Sequence, residues 1–324
     1  MNAIPPGRLR ALGRVADIVE RLGLARPAIY ALIALRRFWI PPMKTRAFAG
    51  YTPTERDVFI CTHAKSGTNL LMHMVHRLAH RGAGDFDHIH DRVPWPEAPH
   101  ETGASIHDPP PYGPTGLRAI KTHLDATHVP YSAAARYIVV VRDPLDVAVS
   151  GYHFSMGIFR AKLNAEFSRD EWFELCVQDR LPIGSWADHT ASWWELRARA
   201  NVLLLSFEDC VRAPAECVDS VATFLAIALT PEQRARVIEL CSFAWMKAHD
   251  RAFAPPFAVL PGRATPFMIR KGVAGDSARF FTEEQRARLI EFYRDELARR
   301  GSSFPYDQLI AHAPISSWPD ARAG

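Results

Sequence analysis

Several features that would assign a protein to a class at once are missing from this chain of 324 residues. No apolar run is long enough to span a bilayer, and the N-terminus lacks a signal-peptide core that ends in a cleavage site. The five cysteines form no C-x-x-C pair, and their odd number leaves no complete disulfide framework. These absences predict a cytoplasmic protein in a reducing compartment.

A strong charge of one sign is also missing. Lys and Arg number 39 against 35 Asp and Glu, and the net charge of +4 is too small to indicate nonspecific binding to a nucleic acid. We therefore expect no nucleic-acid partner. A local basic pocket for an anionic ligand is still compatible with this balance.

The composition and its continuity predict the domain organisation. Apolar residues make up 48% of the chain, which is enough for a substantial buried core. No internal repeat or linker divides the sequence. We predict an amphipathic helical extension over residues 1–50, one main domain over residues 51–310, and a loosely ordered tail over residues 311–324.

The first fifty residues combine arginines with apolar side chains. Leu12, Val15, Ile18 and Val19 lie near helical spacing, and a second mixture of apolar and basic residues follows at 29–39. Such a stretch is typical of a helix that contacts a membrane surface or a partner, and also of a helix that packs on its own domain. The sequence leaves both alternatives open, so peripheral membrane contact stays a hypothesis.

The stretch VFICTHAKSGTNLL, residues 58–71, predicts a strand over 58–62, a tight loop over 63–68 and a helix after it. The free N–H groups of the first helical turn would point into the loop, where Lys65, Ser66 and Thr68 surround Gly67. This arrangement indicates a phosphate site. It is not a Walker A loop, because the lysine precedes the only glycine of the loop.

Three further β-rich runs, at 117–122, 137–141 and 202–205, alternate with helical patterns. This alternation predicts a three-layer α/β protein with a P-loop-like fold, in which helices flank a central parallel sheet. Ligands of such sheets gather at the carboxyl ends of the strands. Lys65, His123, Arg142 and Phe207 all lie at or just beyond those ends.

The residues at the strand ends favour group transfer to a hydroxyl. Two cationic sets, one around Lys65 and one around Arg142, suit a ligand with two phosphate-bearing ends. His123 is the obvious general base, and Lys121 beside it could stabilise developing negative charge. The histidines near residues 73–90 lack an H-E-x-x-H pattern or a cysteine, so no metal is expected.

Six motifs occur in one order between residues 62 and 282: THAKSGTNL, KTHLD, RDPLDVAVSGYHF, SWWELRARANVLLLSFED, CSFAWMK and FMIRKGVAGD. In this order they resemble the cytosolic-type sulfotransferases, which use 3′-phosphoadenosine 5′-phosphosulfate (PAPS). The resemblance implies transfer of a sulfuryl group from PAPS to a hydroxyl, or less readily to an amine, without a metal. Adenosine 3′,5′-bisphosphate (PAP) would be released.

The resemblance also implies a role for each matching residue. His123 would remove the acceptor proton, Lys121 would stabilise the transferring group, and Lys65 would assist departure of the bridging oxygen. The implied donor-binding residues are Lys65, Ser66, Gly67, Thr68 and Asn69 at the 5′-phosphosulfate; Arg142, Ser150, Arg270, Lys271 and Gly272 at the 3′-phosphate; and Leu70, Phe207 and Phe243 near adenine.

The chain departs from the family pattern at several positions. His63 and Ala64 replace a tyrosine and a proline before the loop lysine, and Leu70 replaces the tryptophan that stacks on adenine. A tyrosine is replaced by Phe207 and a threonine by Cys241. The family's dimer signature is not recognisable, so the sequence leaves the oligomeric state open.

The acceptor pocket is predicted from the segments 82–114, 157–185 and 255–266, of which the first reads as a long surface loop and the last as a gate. The aromatic residues in and beside these segments, with Trp95, Tyr112, Phe154 and Phe159 among them, favour an acceptor with apolar bulk.

Two other functions stay open. A metal-dependent phosphoryl-transfer enzyme would need a carboxylate for Mg²⁺ at a strand end. A noncatalytic nucleotide-binding module would have no use for Lys65, Lys121 and His123 together.

Overall fold

Residues with high β propensity form the sheet predicted from the sequence. A computed structural model describes residues 6–98, 103–109, 113–181, 184–254, 260 and 268–318. Within these ranges the sheet has four parallel strands in the order β2-β1-β3-β4. They are β1 Asp57–Thr62, β2 Arg118–Thr122, β3 Arg136–Val141 and β4 Val202–Ser206. Each differs from its predicted bounds by at most one residue.

Side chains alternate between the two faces of the sheet, and each face packs into its own core. Phe59 and Cys61 of β1 belong to one cluster with Trp193, whereas Val58 and Ile60 belong to the other. The three-layer fold is thereby confirmed. The helices are α1 Pro6–Arg21, α2 Ala25–Arg46, α3 Thr68–Ala79, α4 Pro144–Leu163, α5 Arg169–Val177, α6 Trp186–Trp194, α7 Phe207–Arg212, α8 Pro214–Phe224, α9 Pro231–Leu240, α10 Phe243–Ala248, α11 Ser277–Phe280, α12 Glu283–Arg299 and α13 Tyr306–Ile310.

The start of α4 follows from local chemistry. The Asp143 carboxylate accepts a hydrogen bond from the Leu145 N–H, and Pro144 occupies the first helical position, where no N–H is needed. The cap fixes the direction in which the chain leaves β3. Arg142, the residue between strand and cap, is therefore held at the carboxyl edge of the sheet.

The sequence predicted a surface loop over 82–114, but the described part of this segment is partly buried. Ile89 and Val93 are buried in the core beside α3, and Glu97 is buried at the end of β2. The backbone also joins the sheet edge, since the Lys121 N–H donates to the Pro94 carbonyl over 2.9 Å. These apolar and polar contacts hold the described part of the segment against the site.

The N-terminal extension forms α1 and α2, which pack on the domain through a few buried residues such as Ala16 and Ile29. At the other end, residues 311–318 of the predicted tail also pack, because Trp318 is buried against Phe304 and Trp194. Among the described residues, no helix combines the length and apolarity needed to cross a membrane.

Candidate active site

The loop between β1 and α3 has the backbone of an anion site. Gly67 precedes α3 with a φ of 95°, and Lys65 also adopts a left-handed φ of 72°. No side chain caps the helix, and the buried Ser66 hydroxyl has no hydrogen-bond partner among the described residues. Helix N–H groups and a hydroxyl are therefore available to one phosphate or sulfate group.

Arg142 links this loop to the end of β3. Its Nη1 donates to the Lys65 carbonyl over 2.8 Å, and its Cζ lies 4.2 Å from the ring centre of Phe207. Its buried Nε has no partner within the described part of the chain. The pKa of Lys65 is lowered to about 8, chiefly by burial and then by the charges of Arg142 and Arg270. An anion bound among these cations would relieve their repulsion.

A third cationic segment approaches from the C-terminal part of the chain. Asp276 holds Arg270 and Lys271 at 2.5 and 2.8 Å. The same segment is tied to α4, because the buried Asp146 carboxylate accepts the Gly275 and Ser277 N–H groups. Asp146 was not singled out from the sequence.

His123 has a defined tautomer. Its Nδ1 lies 2.7 Å from the Thr62 carbonyl oxygen, and since a carbonyl can only accept, Nδ1 carries the proton and Nε2 carries the lone pair. Burial and the charge of Lys121 hold the pKa of His123 well below its usual range. The Lys121 ammonium lies 3.4 Å from the ring centre of Trp95. A neutral imidazole beside an ammonium is thus placed at the end of β2.

Glu97 is a site residue that sequence reasoning missed. Its Oε1 accepts from the His123 N–H at 2.5 Å and from the Thr122 hydroxyl at 2.8 Å, so it fixes the turn after β2. Burial raises its pKa, and its Oε2 has no partner among the described residues. The sequence offers little sign of this role: Glu97 is merely the acidic residue of the short WPE run in the segment 82–114.

A single cavity of about 780 Å³ collects the predicted residues. Ser66 lies in the loop beside the cavity but is not among the residues that line it. The predicted residues that line the cavity are Lys65, Gly67, Thr68, Asn69, Leu70, Lys121, His123, Arg142, Ser150, Phe207, Phe243, Arg270, Lys271 and Gly272.

Three aromatic residues that the sequence predicted for the acceptor pocket, Trp95, Phe154 and Phe159, also line this cavity, and the part that they line is called its apolar half. Tyr112 lies outside the described residues, as does most of the predicted gate at 255–266. The sequence did not predict that α2 would contribute Ile40 and Met43 to this wall.

Two further histidines in the wall were also missed. His63 Nε2 lies 3.2 Å from the Gly184 carbonyl oxygen, whereas its Nδ1 and both nitrogens of His189 have no partner within the described ranges. Their ring centres are 6.1 Å apart, and burial lowers the pKa of both. Because Nε2 of His63 donates to a carbonyl, its Nδ1 can only accept a hydrogen bond, whereas neutral His189 can donate with one nitrogen and accept with the other.

The histidines near residues 73–90 were weighed as metal ligands. Among the residues described, no group of three or more His, Cys, Asp and Glu side chains could hold a metal ion. Nε2 of His73 lies 3.1 Å from the Leu240 carbonyl oxygen, and Nε2 of His76 lies 2.6 Å from that of Gly84. Backbone contacts account for these two imidazoles.

Known proteins resemble the chain in both sequence and fold. Residues 55–301 match a family model described as a sulfotransferase domain. The chain is 30% identical over 256 residues to the 3-beta-hydroxysteroid sulfotransferase of Cavia porcellus. This alignment covers 75% of this chain and 84% of that protein. It is 29% identical over 260 residues to the sulfotransferase 1C2 of Rattus norvegicus, with 76% and 85% covered.

Solved structures of similar fold include mouse sulfotransferase SULT7A1 complexed with PAP. Its TM-score is 0.64 at 23% identity, covering 84% of this chain and 94% of that one. Retinol dehydratase in complex with androsterone and PAP gives a TM-score of 0.64 at 21% identity, covering 82% and 88%. At these identities the likeness shows the shared fold.

Proposed function

The chain belongs to the sulfotransferase family, and on that premise we propose which of its residues hold the donor and which act on the acceptor. The enzyme transfers a sulfuryl group from PAPS to a hydroxyl. The new bond joins sulfur to the acceptor oxygen, and the bond from sulfur to the bridging oxygen breaks. Adenosine 3′,5′-bisphosphate and the acceptor proton are the other products.

The donor half of the cavity fits a ligand with two anionic ends. At one end, the first turn of α3, Lys65 and the unpartnered Ser66 hydroxyl would hold the 5′-phosphosulfate, with Thr68 and Asn69 beside them. At the other end, Arg142, Ser150, Arg270, Lys271 and Gly272 would hold the 3′-phosphate. The buried, unpartnered Nε of Arg142 supports this assignment.

Adenine would lie between Phe207 and Phe243. Both rings line the cavity, and each packs against a glycine with positive φ: a Cβ on Gly67 would lie 2.7 Å from Phe207, and one on Gly272 would lie 2.3 Å from Phe243. Leu70 supplies an apolar contact without an aromatic face.

The observation that carries the catalytic assignment is the hydrogen bond from His123 to Thr62. It leaves Nε2 as the nitrogen that can take the acceptor proton, at the strand end next to the phosphate loop. Lys121 and Lys65 supply positive charge for the transferring group and for the bridging oxygen. All three residues line the same cavity.

The acceptor in this proposal is a small molecule with a hydroxyl and an apolar body. The apolar wall supports this proposal, and so does the similarity to the 3-beta-hydroxysteroid sulfotransferase, whose substrate is a hydroxysteroid. Residues 51–310 would form the catalytic domain. The protein would be cytoplasmic, with residues 1–50 in peripheral contact with a membrane.

The test is transfer of radiolabel from PAPS to a panel of alcohols and phenols, with wild-type protein and His123→Ala. We expect sulfated products from wild-type protein and at least a hundredfold less from the variant, at unchanged PAP affinity. Equal activity of the two proteins would overturn the assignment of His123.

A further inference from the structure

Both helices of the N-terminal extension expose large apolar side chains. Val15 and Ile18 of α1, Leu22 just after its end, and Leu32, Leu35 and Phe38 of α2 are each between 51% and 65% exposed, and these six residues are called the apolar face. Within each helix their spacing of three residues places them on one side. Single exposed apolar residues are ordinary, but six along two consecutive helices and the turn between them indicate an interaction surface.

The charge of the same segment identifies what this surface contacts. Residues 1–46 contain nine Lys and Arg against two Asp and Glu, a net charge of +7, whereas the rest of the chain carries −3. A basic amphipathic helix pair binds an anionic bilayer, because its cations meet lipid phosphates while its apolar side chains enter the interface. A second copy of the chain would instead bring two segments of charge +7 together.

The helix that carries part of the apolar face also forms a wall of the acceptor pocket. Ile40, Met43 and Lys44 at the end of α2 line the cavity, and the Lys44 ammonium is fixed by the Asp125 carboxylate at 2.8 Å. Phe38 precedes Ile40 by two residues, a rise of about 3 Å along the helix. A surface that binds α2 therefore lies close to the apolar half of the cavity.

We propose that α1 and α2 dock the enzyme on an anionic bilayer and that the acceptor is an amphipathic alcohol drawn from that bilayer past α2. This inference rests on the proposed sulfotransferase function and names the source of its acceptor. Docking places the pocket wall at the interface, where the apolar body of such an alcohol is dissolved and its hydroxyl lies among the headgroups. Residues 1–54 precede the part of the chain that matches the family model, so α1 and α2 are an addition to the matched domain.

The first arm of the test is vesicle binding by the full-length protein. Cosedimentation uses vesicles of phosphatidylcholine alone and vesicles in which phosphatidylglycerol replaces part of it. The triple variant Leu32→Gln, Leu35→Gln, Phe38→Gln removes the apolarity, and the matched control Leu32→Met, Leu35→Met, Phe38→Leu keeps it. We expect at least tenfold stronger binding to the anionic vesicles, lost in the Gln variant and retained in the control.

The second arm compares transfer to butan-1-ol in solution with transfer to hexadecan-1-ol in anionic vesicles. The Gln variant should lose at least tenfold on the vesicle alcohol and stay within twofold of wild type on the soluble one. Loss on both alcohols would mean that the variant damages the catalytic domain, and would overturn the specific role of the face.

Other outcomes separate this inference from the proposed function. Equal binding to neutral and anionic vesicles, or full vesicle binding by the Gln variant, overturns the docking. If the wild-type protein sediments as a dimer and the Gln variant does not, the apolar face contacts a second copy of the chain, and the docking is overturned. Absence of transfer to either alcohol contradicts the proposed acceptor class, while the vesicle arm still decides the docking.

Discussion

Nδ1 of His123 lies 2.7 Å from the carbonyl oxygen of Thr62, the last residue of β1. This contact joins the end of β2 to the residue where the phosphate loop begins. Because β1 and β2 are parallel neighbours, their carboxyl ends meet at one edge of the sheet. The contact holds His123, the proposed base, beside the loop that is proposed to bind the donor.

Replacing His123 with Ala should lower kcat by a factor of about 10² to 10⁴, the usual contribution of a general base. PAP affinity should stay within twofold, because the imidazole does not belong to the donor half of the cavity. Steady-state kinetics and calorimetry on the same preparations measure both quantities. A parallel tenfold loss of PAP affinity would show that His123 supports the donor loop instead.

The acidic limb of the pH–rate profile should lie below pH 6.5. In the proposed mechanism neutral His123 is the active form. Burial and the charge of Lys121 lower its pKa, so activity should fall only when the pH drops through that lowered pKa. Lys121→Gln removes one of these causes. It should move the limb to higher pH, and an unchanged limb would contradict the coupling.

Donor affinity should weaken above pH 8. The pKa of Lys65 is lowered to about 8, chiefly by burial and then by Arg142 and Arg270, and its protonated form is the one that attracts phosphate. PAP titrations between pH 6 and 10 should show constant affinity at the acid end and a decline at the alkaline end. In Lys65→Met this decline should vanish; if it persists there, Lys65 is not the titrating group.

Glu97→Ala should lower kcat at least tenfold and leave PAP affinity unchanged. The variant leaves the His123 N–H and the Thr122 hydroxyl without their acceptor, which costs about 1–3 kcal/mol of folding stability. Glu97→Gln keeps an oxygen that can accept both hydrogen bonds, so it should recover most of the activity. Equal losses in the two variants would show that the carboxylate charge matters rather than the positioning.

Gly67→Ala should weaken PAP binding at least tenfold. The residue has a φ of +95°, and the added Cβ would lie 2.7 Å from the Phe207 ring, so both loop and ring must shift. Gly116→Ala is the matched control, because Gly116 has a φ of +70° and nothing lies within 4 Å of the added Cβ. The control should lose about 1 kcal/mol of stability and no PAP affinity. Normal PAP binding by Gly67→Ala would contradict the proposed contact between loop and adenine side.

Local pattern was enough to predict the strands and the residues that follow them. β-branched runs give the four strands to within one residue, and in a parallel sheet the residues after them, such as Lys65 and Arg142, must share an edge. Asp143 and Pro144 likewise predict the start of α4, since capping depends on neighbours in the chain.

Contacts between distant segments could not be predicted in this way. Glu97 approaches His123 only because apolar residues of the segment 82–114 pack beside α3. The spacing of apolar residues within that segment does not indicate this packing. His63 and His189 are brought within 6.1 Å by the packing of α6 on the sheet. The place of α2 in the acceptor wall depends on the same long-range packing, which is why the sequence left its function open.

Calorimetric titration with PAP and, in parallel, with adenosine 5′-phosphate tests the donor site most directly, using wild-type protein, Arg142→Ala and Arg142→Lys. We expect tight binding of PAP by wild type, at least a hundredfold weaker binding of adenosine 5′-phosphate, and loss of that preference in Arg142→Ala. Partial recovery is expected in Arg142→Lys, which restores the charge without the forked guanidinium. Equal affinity of wild-type protein for the two nucleotides would contradict a 3′-phosphate site at Arg142.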